Sequence, residues 1–386
     1  MKKYILALVL EIILALHCQI AYAQVENVDV NAEDYLSTKE IIKNFTPTQI
    51  EQYIARGGNI NKEDNGKITL FAQIVSFNEN PKIIETLLQH GANIEARNED
   101  GLTPLMLAAS NNENPKIIET LLQHGANIEA RNGDGLTPLM FATSNNENPK
   151  VIETLLQHGA NIEAKNNDGG TALIGISIGR AKMIEFTFSE NDNIIKNKYV
   201  NRDIEIIRLL IDGGADVNTK DNNGWTPLMY AASMNSNPEI LKILISNGAN
   251  INARNKEGTT VLMAATANSN PEILRILIEN GANIGVRDKI GGTVLMNAAV
   301  NAENPEIIET LVEYGLDINE DILGATALMV ACAHNSNPKI ILTLLDNGAK
   351  IEDGNKLLDL LDKNEYIEKN QDYWDLRDRI YNEMNN

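Results

Sequence analysis

A chain of 386 residues with 33 basic and 53 acidic side chains carries a formal charge of −20. That field excludes a nucleic-acid binder, which needs a basic stripe to displace counterions, and it disfavours docking on an anionic membrane. Apolar content is 43% but aromatics are only 5%, so any core has to be built from Leu, Ile, Ala and Met.

The chain opens with the pattern of an export signal. Lys2 and Lys3 form a positive n-region, Tyr4 to Leu16 are apolar except for Glu11, and Ala21-Tyr22-Ala23 is an A-x-A site before Gln24. An uncleaved anchor would need about 20 apolar residues, and Glu11 and His17 interrupt this run. A lipid-modified Cys18 would call for a small residue where His17 stands. The expectation is a signal peptide over 1–23, cleavage after Ala23, and a periplasmic or secreted protein with no integral membrane segment. Cleavage leaves 31 basic and 52 acidic residues, a net of −21, and one cysteine, Cys332. A single thiol in an exported chain forms no internal disulfide, so stability has to come from packing.

Residues 24–66 read as N-terminal capping helices and a degenerate first repeat. Ile41, Ile42, Phe45, Ile50 and Tyr53 punctuate a polar background, which closes at Gly57-Gly58-Asn59-Ile60-Asn61. From there the dipeptide Asn-Pro recurs, with prolines at 81, 115, 149, 238, 271, 305 and 338. Successive gaps of 34, 34, 89, 33, 34 and 33 residues mark one supersecondary unit copied many times. In residues 98–132, Asp100-Gly101 is a turn signal. Thr103 caps a first helix that Pro104 opens, and Leu105, Ala108 and Ala109 give it a thin apolar face. Asn114 and Pro115 start a second helix with the stripe Ile118, Leu121 and Leu122. Gly125 ends that helix, and an extended finger leads to the next turn.

The pattern resembles the ankyrin repeat. Asp134-Gly135-Leu136-Thr137-Pro138-Leu139-Met140 and, later, Leu155-Leu156-Gln157-His158-Gly159-Ala160 with Ala164 follow that family's turn, first helix and second helix. Turn glycines at 66, 101, 135, 169, 224, 258, 291 and 324 put the array over 67–352. The implied fold is an all-α ankyrin-type α-solenoid of about nine helix-turn-helix units with β-hairpin fingers, helical caps and one insertion. The resemblance is to exported repeat proteins of bacterial type. Two departures stand out. Met replaces the family's His at Met106, Met140, Met229, Met263, Met296 and Met329, so packing should replace that imidazole's inter-repeat hydrogen bonds. Asn-Pro at the second helix reads as a capping device only.

The fifth repeat is about 21 residues too long, with the excess near 180–202 between its two helices. Arg180, Lys182, Lys196, Lys198 and Arg202 make it locally basic. Residues 353–386 read as C-terminal capping helices, with Leu357, Leu358 and Leu361 covering the last repeat and Tyr373, Trp374, Leu376 and Ile380 on an amphipathic helix.

Chemistry finds no foothold in the motifs. His90, His124 and His158 are copies of one position, about 10 Å apart at helix-packing distance, too far to share a zinc ion. Cys332 stands where sister repeats carry Ala109, Ala232 and Ala299 and reads as a buried apolar side chain. No zinc, phosphate-loop or nucleophile motif is present. No catalytic, cofactor or metal residue is therefore assigned, and no enzymatic activity is expected.

The resemblance implies a partner held in a concave groove lined by finger tips and first helices. Carried onto this chain, those positions are Glu99, Asp100, Leu102, Ser110 and Asn111, then Asp134, Leu136, Ser144 and Asn145. Past the insertion they are Asn222, Asn223, Trp225, Tyr230, Ser233 and Met234, followed by Lys256, Glu257, Lys289 and Ile290, with Ile322 and Leu323 beyond. Trp225 stands out because its counterparts are Leu102, Leu136, Gly170, Thr259, Gly292 and Ala325, so no structural rule demands an indole. It is either a binding anchor or a side chain packed on the insertion. The expectation is an exported, monomeric adaptor for a neutral or basic protein partner. The alternatives are an effector or enzyme using the insertion, and a surface or host-directed adhesin.

Overall fold

The computed structural model describes residues 42–61, 63–64, 68–179, 193–235 and 237–384. The expected signal peptide, residues 24–41, the turn at Gly66 and insertion residues 180–192 lie outside them. The chain divides into two units, Met1–Gly175 with Arg208–Ala215, and Ile176–Ile207 with Asp216–Asn386.

The first unit begins with α1 (Pro47–Ala55), which Thr46 caps reciprocally with Gln49. A two-stranded hairpin, β1 (Glu63–Asp64) and β2 (Ile68–Thr69), leads into α2 (Leu70–Phe77) and α3 (Pro81–Gln89). Two more helix pairs follow, α4 (Pro104–Asn111) with α5 (Pro115–Gln123), and α6 (Pro138–Asn145) with α7 (Pro149–Gln157). α2, α4 and α6 pack side by side as an inner layer, and α3, α5 and α7 as an outer one. α8 (Ala172–Ile178) and α9 (Asn193–Asp212) contribute to both units.

The second unit continues with the pairs α10 (Pro227–Met234) and α11 (Pro238–Ser246), α12 (Val261–Ala265) and α13 (Glu272–Glu279), α14 (Val294–Asn301) and α15 (Glu306–Glu313), and α16 (Ala327–His334) and α17 (Pro338–Asp346). The caps α18 (Gly354–Lys363) and α19 (Gln371–Met384) close it. α18 lies on α16, and α19 on α18 and α17. Leu357, Leu361, Tyr373, Leu376 and Ile380 are buried there, as the apolar spacing predicts, while Trp374 is exposed.

The helix boundaries are local chemistry. Thr103 Oγ1 accepts the Met106 N–H at 3.3 Å, and Thr137, Thr226, Thr260, Thr293 and Thr326 do the same three residues on. Each inner helix therefore starts with one of its orphan donors satisfied. At the outer end, Gly125 has φ 90° with open space around it, so backbone freedom alone demands glycine. Gly258 adds a second reason: a Cβ would sit 2.8 Å from the Lys289 nitrogen of the next finger.

The methionines that replace the family's imidazole are buried apart from half-buried Met329. Packing is only part of the substitution, however. Asparagines two residues before all but one of the Asn-Pro units supply hydrogen bonds between repeats. Asn112 Nδ2 donates to Val75 O at 2.9 Å and Asn78 O at 2.8 Å. Asn146 bonds Ala109 O and Asn112 O, Asn268 bonds Ala232 O and Asn235 O, and Asn335 bonds Ala299 O and Ala302 O. Asn364 extends the series into the cap, to Cys332 O and Asn335 O. The Asn of the Asn-Pro pair does more than cap. Asn114 Oδ1 accepts the Lys116 N–H while its Nδ2 reaches Glu79 O in the preceding repeat.

One rung is absent: Ala302 stands where the sister repeats carry the bridging asparagine. The segment holding the preceding inner helix, α12, is also one residue short, with Thr260 eight positions before Asn268 where Thr103 stands nine before Asn112. The Asn268 N–H therefore bonds Ala265 O three residues back at 3.0 Å, where Asn112 N reaches Ala108 O four residues back, so the missing residue tightens the last turn.

Two expectations change. The fingers are mostly hydrogen-bonded turns with little strand pairing: among the described residues, beyond β1–β2, the bridges Arg254–Thr260, Arg287–Thr293 and Ile322–Ala325 pair. Asx side chains take the N–H groups a ladder would need, as Asn98 Oδ1 does from Leu102 N at 2.7 Å. The insertion is also not wholly a loop between helices. Its last part lengthens the second helix, which runs 20 residues in α9 against nine in α7. Arg202 does not add to a basic surface, because it is 5% exposed and paired with Asp203 at 2.6 Å.

Candidate partner-binding surface

Finger tips are held by Asx turns, and three pairs of neighbouring tips are tied through their backbones. Asn132 Oδ1 accepts from Asp134 N and Leu136 N, and Asp134 O accepts the Asn167 N–H at 2.9 Å. In the second unit the Lys256 N–H donates to Asn223 O at 2.9 Å and the Lys289 N–H to Glu257 O at 3.1 Å. Arginines beneath the tips reinforce the spacing: Arg131 Nη1 bonds both Gly135 O and Lys165 O, and Arg254 Nη1 bonds Gly258 O and Arg287 O. The tip backbone is therefore fixed while its side chains stay outside.

Most residues assigned to this surface lie on it. Glu99, Asp100, Asn111, Asp134, Ser144, Asn145, Asn222, Asn223, Lys256, Glu257, Lys289 and Ile290 are exposed. Ser110, Leu136, Trp225, Tyr230 and Met234 are half-buried. Asn145 Nδ2 donates to Ser110 Oγ at 3.0 Å, joining neighbouring inner helices. Two assignments are corrected. Leu102 is 3% exposed and packs with Ile68, Ala72, Met106, Leu107 and Ala130, so it belongs to the core. Ser233 is 8% exposed at the buried end of α10. Both sit where the finger or helix turns inward, a detail that spacing alone does not carry.

Trp225 stacks on Tyr230 with ring centroids 5.0 Å apart. Tyr230 Oη donates to Asp221 Oδ2 at 2.8 Å, and Asp221 Oδ1 accepts from Trp225 N and Asn223 N. One carboxylate thus orients the finger and both rings, leaving a half-open aromatic platform. Val300, exposed on α14, escaped the sequence reading. Its signal was available: its sister positions, seven residues after the capping threonine, include Ser110, Ser144, Ser233, Ala267 and Ala333.

Among the described residues the histidines and the cysteine stand apart. His90, His124 and His158 each point Nδ1 at the carbonyl four residues back, Thr86, Thr120 and Thr154, at 2.8–2.9 Å. A carbonyl only accepts, so Nδ1 donates. The Cys332 thiol is buried and desolvation pushes its pKa up to about 12, far from a reactive thiolate. Among the described residues no group of three His, Cys, Asp or Glu side chains is arranged to hold a metal ion, and no helix is long and apolar enough to cross a membrane.

The family described as ankyrin repeats, in three copies, matches residues 41–132, 68–166, 113–197, 194–288 and 283–355. The chain belongs to the ankyrin repeat family. Among solved structures, the human ASB11 ankyrin repeat domain is similar at a TM-score of 0.51 and 19% identity, over 65% of this chain and 99% of that one. The ankyrin repeat domain of Bcl-3, a member of the IkappaB protein family, is 26% identical with a TM-score of 0.48, over 64% of this chain and 98% of that one. No curated protein matches the chain. Ankyrin repeats are protein–protein interaction modules, and the row of tips is the part of this array built to display side chains.

Proposed function

We propose that this ankyrin repeat protein is an exported scaffold that holds a protein partner against its finger tips and inner helices. One observation carries the reading. Within each unit neighbouring tips are tied through their backbones, Asp134 to Asn167 in the first, Asn223 to Lys256 and Glu257 to Lys289 in the second, yet the exposed tip side chains change from repeat to repeat: Glu99 and Asp100, Asp134, Asn222 and Asn223, Lys256 and Glu257, Lys289 and Ile290. A fixed frame with variable display suits recognition. The formal charge of −20 favours a partner that is neutral or basic overall. Export rests on the Lys2 to Ala23 pattern, and the mature chain should begin at Gln24. The aromatic platform of Trp225 and Tyr230 is the anchor we assign first.

The test is capture from the exported fraction with wild type and Trp225→Ala. Truncation should weaken capture about tenfold or more while the thermal midpoint stays nearly fixed. A large loss of stability with unaltered capture would mean that the indole serves packing alone.

A further inference from the structure

The finger before α16 is one residue shorter than its sisters. Gly315 to Thr326 spans one position fewer than Gly281 to Thr293, and the shortened loop closes as a two-residue hairpin. Ile322 N donates to Ala325 O at 2.9 Å and Ala325 N to Ile322 O at 3.1 Å. Both central residues are left-handed, Leu323 at φ 56° and Gly324 at φ 81°. A turn of that hand takes Asn, Asp or Gly at its first central position. Leucine there is strained, and at 99% exposure it gains no burial in return. Strain kept without a packing benefit is a mark of function.

The neighbouring tip is apolar too. Ile290 is 89% exposed, and a Cβ placed on Gly291 would lie 3.4 Å from Ile322 Cγ2, so the two tips adjoin. Lys289 precedes Ile290, and the tip of Lys256 is tied on through the bond from Lys289 N to Glu257 O. Neither Lys256 nor Lys289 has a carboxylate partner among the described ion pairs, although acidic side chains outnumber basic ones 53 to 33 in this protein.

We propose that this edge of the second unit docks a polypeptide segment that combines an apolar side chain with a carboxylate. The apolar group rests on Leu323 and Ile290, and the carboxylate meets Lys289 or Lys256. The proposal builds on the partner-binding reading above and names the chemistry of the contact. Glu257 and Asp321 are exposed at these tips as well, but charge complementarity favours an acidic occupant, because a cationic segment would leave both ammonium groups unpaired. A contact of this kind acts within a Debye length of about 8 Å, so a partner that is neutral or basic overall can still present it. Neighbouring tips lie about 10 Å apart and an extended chain advances about 3.3–3.6 Å per residue. The apolar and acidic residues of the partner should therefore stand about three positions apart.

The experiment uses the full chain and two synthetic decapeptide libraries, read by fluorescence anisotropy. One fixes Leu, Ile or Phe three positions from Asp or Glu; the other replaces the acids with Lys. The acidic library should bind, with affinity falling as salt rises. Leu323→Asn and Lys289→Glu should each weaken it about tenfold or more. Asparagine suits the left-handed position, so Leu323→Asn should not lower the unfolding midpoint, and lost binding cannot then be lost folding. Equal binding of the Lys library, or affinity untouched by both variants, overturns the proposal. So does sedimentation in which the wild type self-associates through Leu323 and binds no peptide, since the occupant is then a second copy. Should the libraries fail while Trp225-dependent capture persists, this inference falls and the scaffold reading stands; loss of both removes the scaffold reading as well.

Discussion

Buried asparagines hold one repeat to the next. Asn112 satisfies two carbonyls of the preceding repeat and, through Oδ1, the Asn114 N–H in its own. Asn112→Ala strands two buried carbonyls and one half-buried N–H. Leaving buried polar groups unsatisfied costs about 1–3 kcal/mol each, less what water recovers, so the variant should lose about 2–4 kcal/mol in urea unfolding. A loss below half a kcal/mol would show that the amides merely fill space. The strained Leu323 makes the opposite case: Leu323→Asn should gain up to about 1 kcal/mol by removing the left-handed penalty, measured in the same titration. These residues were visible in the sequence as a recurrent Asn-x-Asn-Pro string, but their role was not. The carbonyls they bond lie 33 to 37 residues earlier, and a reading built on local caps and stripes does not reach that far. Leu323 was placed at a tip, whereas its turn type followed from a one-residue shortening that had to be counted.

At the scale of elements, the helix pairs were the most legible part. Thr-Pro, Asn-Pro and Gly mark starts and stops by local chemistry, so α4 to α7 fall where the spacing predicts. The insertion was misread because it has no sister copy to serve as a template. A helix that lengthens at its start looks, in sequence, like a polar loop. The C-terminal cap adds a polar lock. Tyr373 Oη donates to Asp362 Oδ1, which Arg377 Nε also meets at 3.1 Å. The Arg377 hydrogen bond holds the Asp362 carboxyl below its usual range, while burial and then the Asp362 carboxylate push Tyr373 up to about 12. A depressed acid contributes stability above about pH 3.9 that is lost as pH falls through its folded value. A raised tyrosine contributes stability in full below about pH 10, lost as pH climbs toward 12. The cap should therefore loosen at both extremes. Emission of Trp374, which sits edge-on to Tyr373, reports this in a Trp225→Phe background. Tyr373→Phe should abolish the alkaline change and keep the acid one; an unaltered alkaline limb would place the titrating group elsewhere.

For the molecule as a whole, stability is a sum of repeats and nearest-neighbour couplings, so damage should stay local. Asn335→Ala should lower amide exchange protection in α14, α16 and α18 and leave α4 and α6 unchanged; uniform loss across the chain would contradict a nearest-neighbour stack. The period, the family resemblance and the row of tips were all readable from the sequence because copies repeat. Which tip side chains point outward was not, as Leu102 and Ser233 show, because a residue's burial depends on how its finger or helix end turns. Whether the tips grip a protein can be read by placing a photo-crosslinking amino acid singly at Asn223 and Lys289 on the tips, and at Glu309 and Lys339 on the outer helices. Polypeptide adducts should form from the two tip positions and none from the outer pair. Adducts from Glu309 or Lys339 with silent tips would contradict that grip.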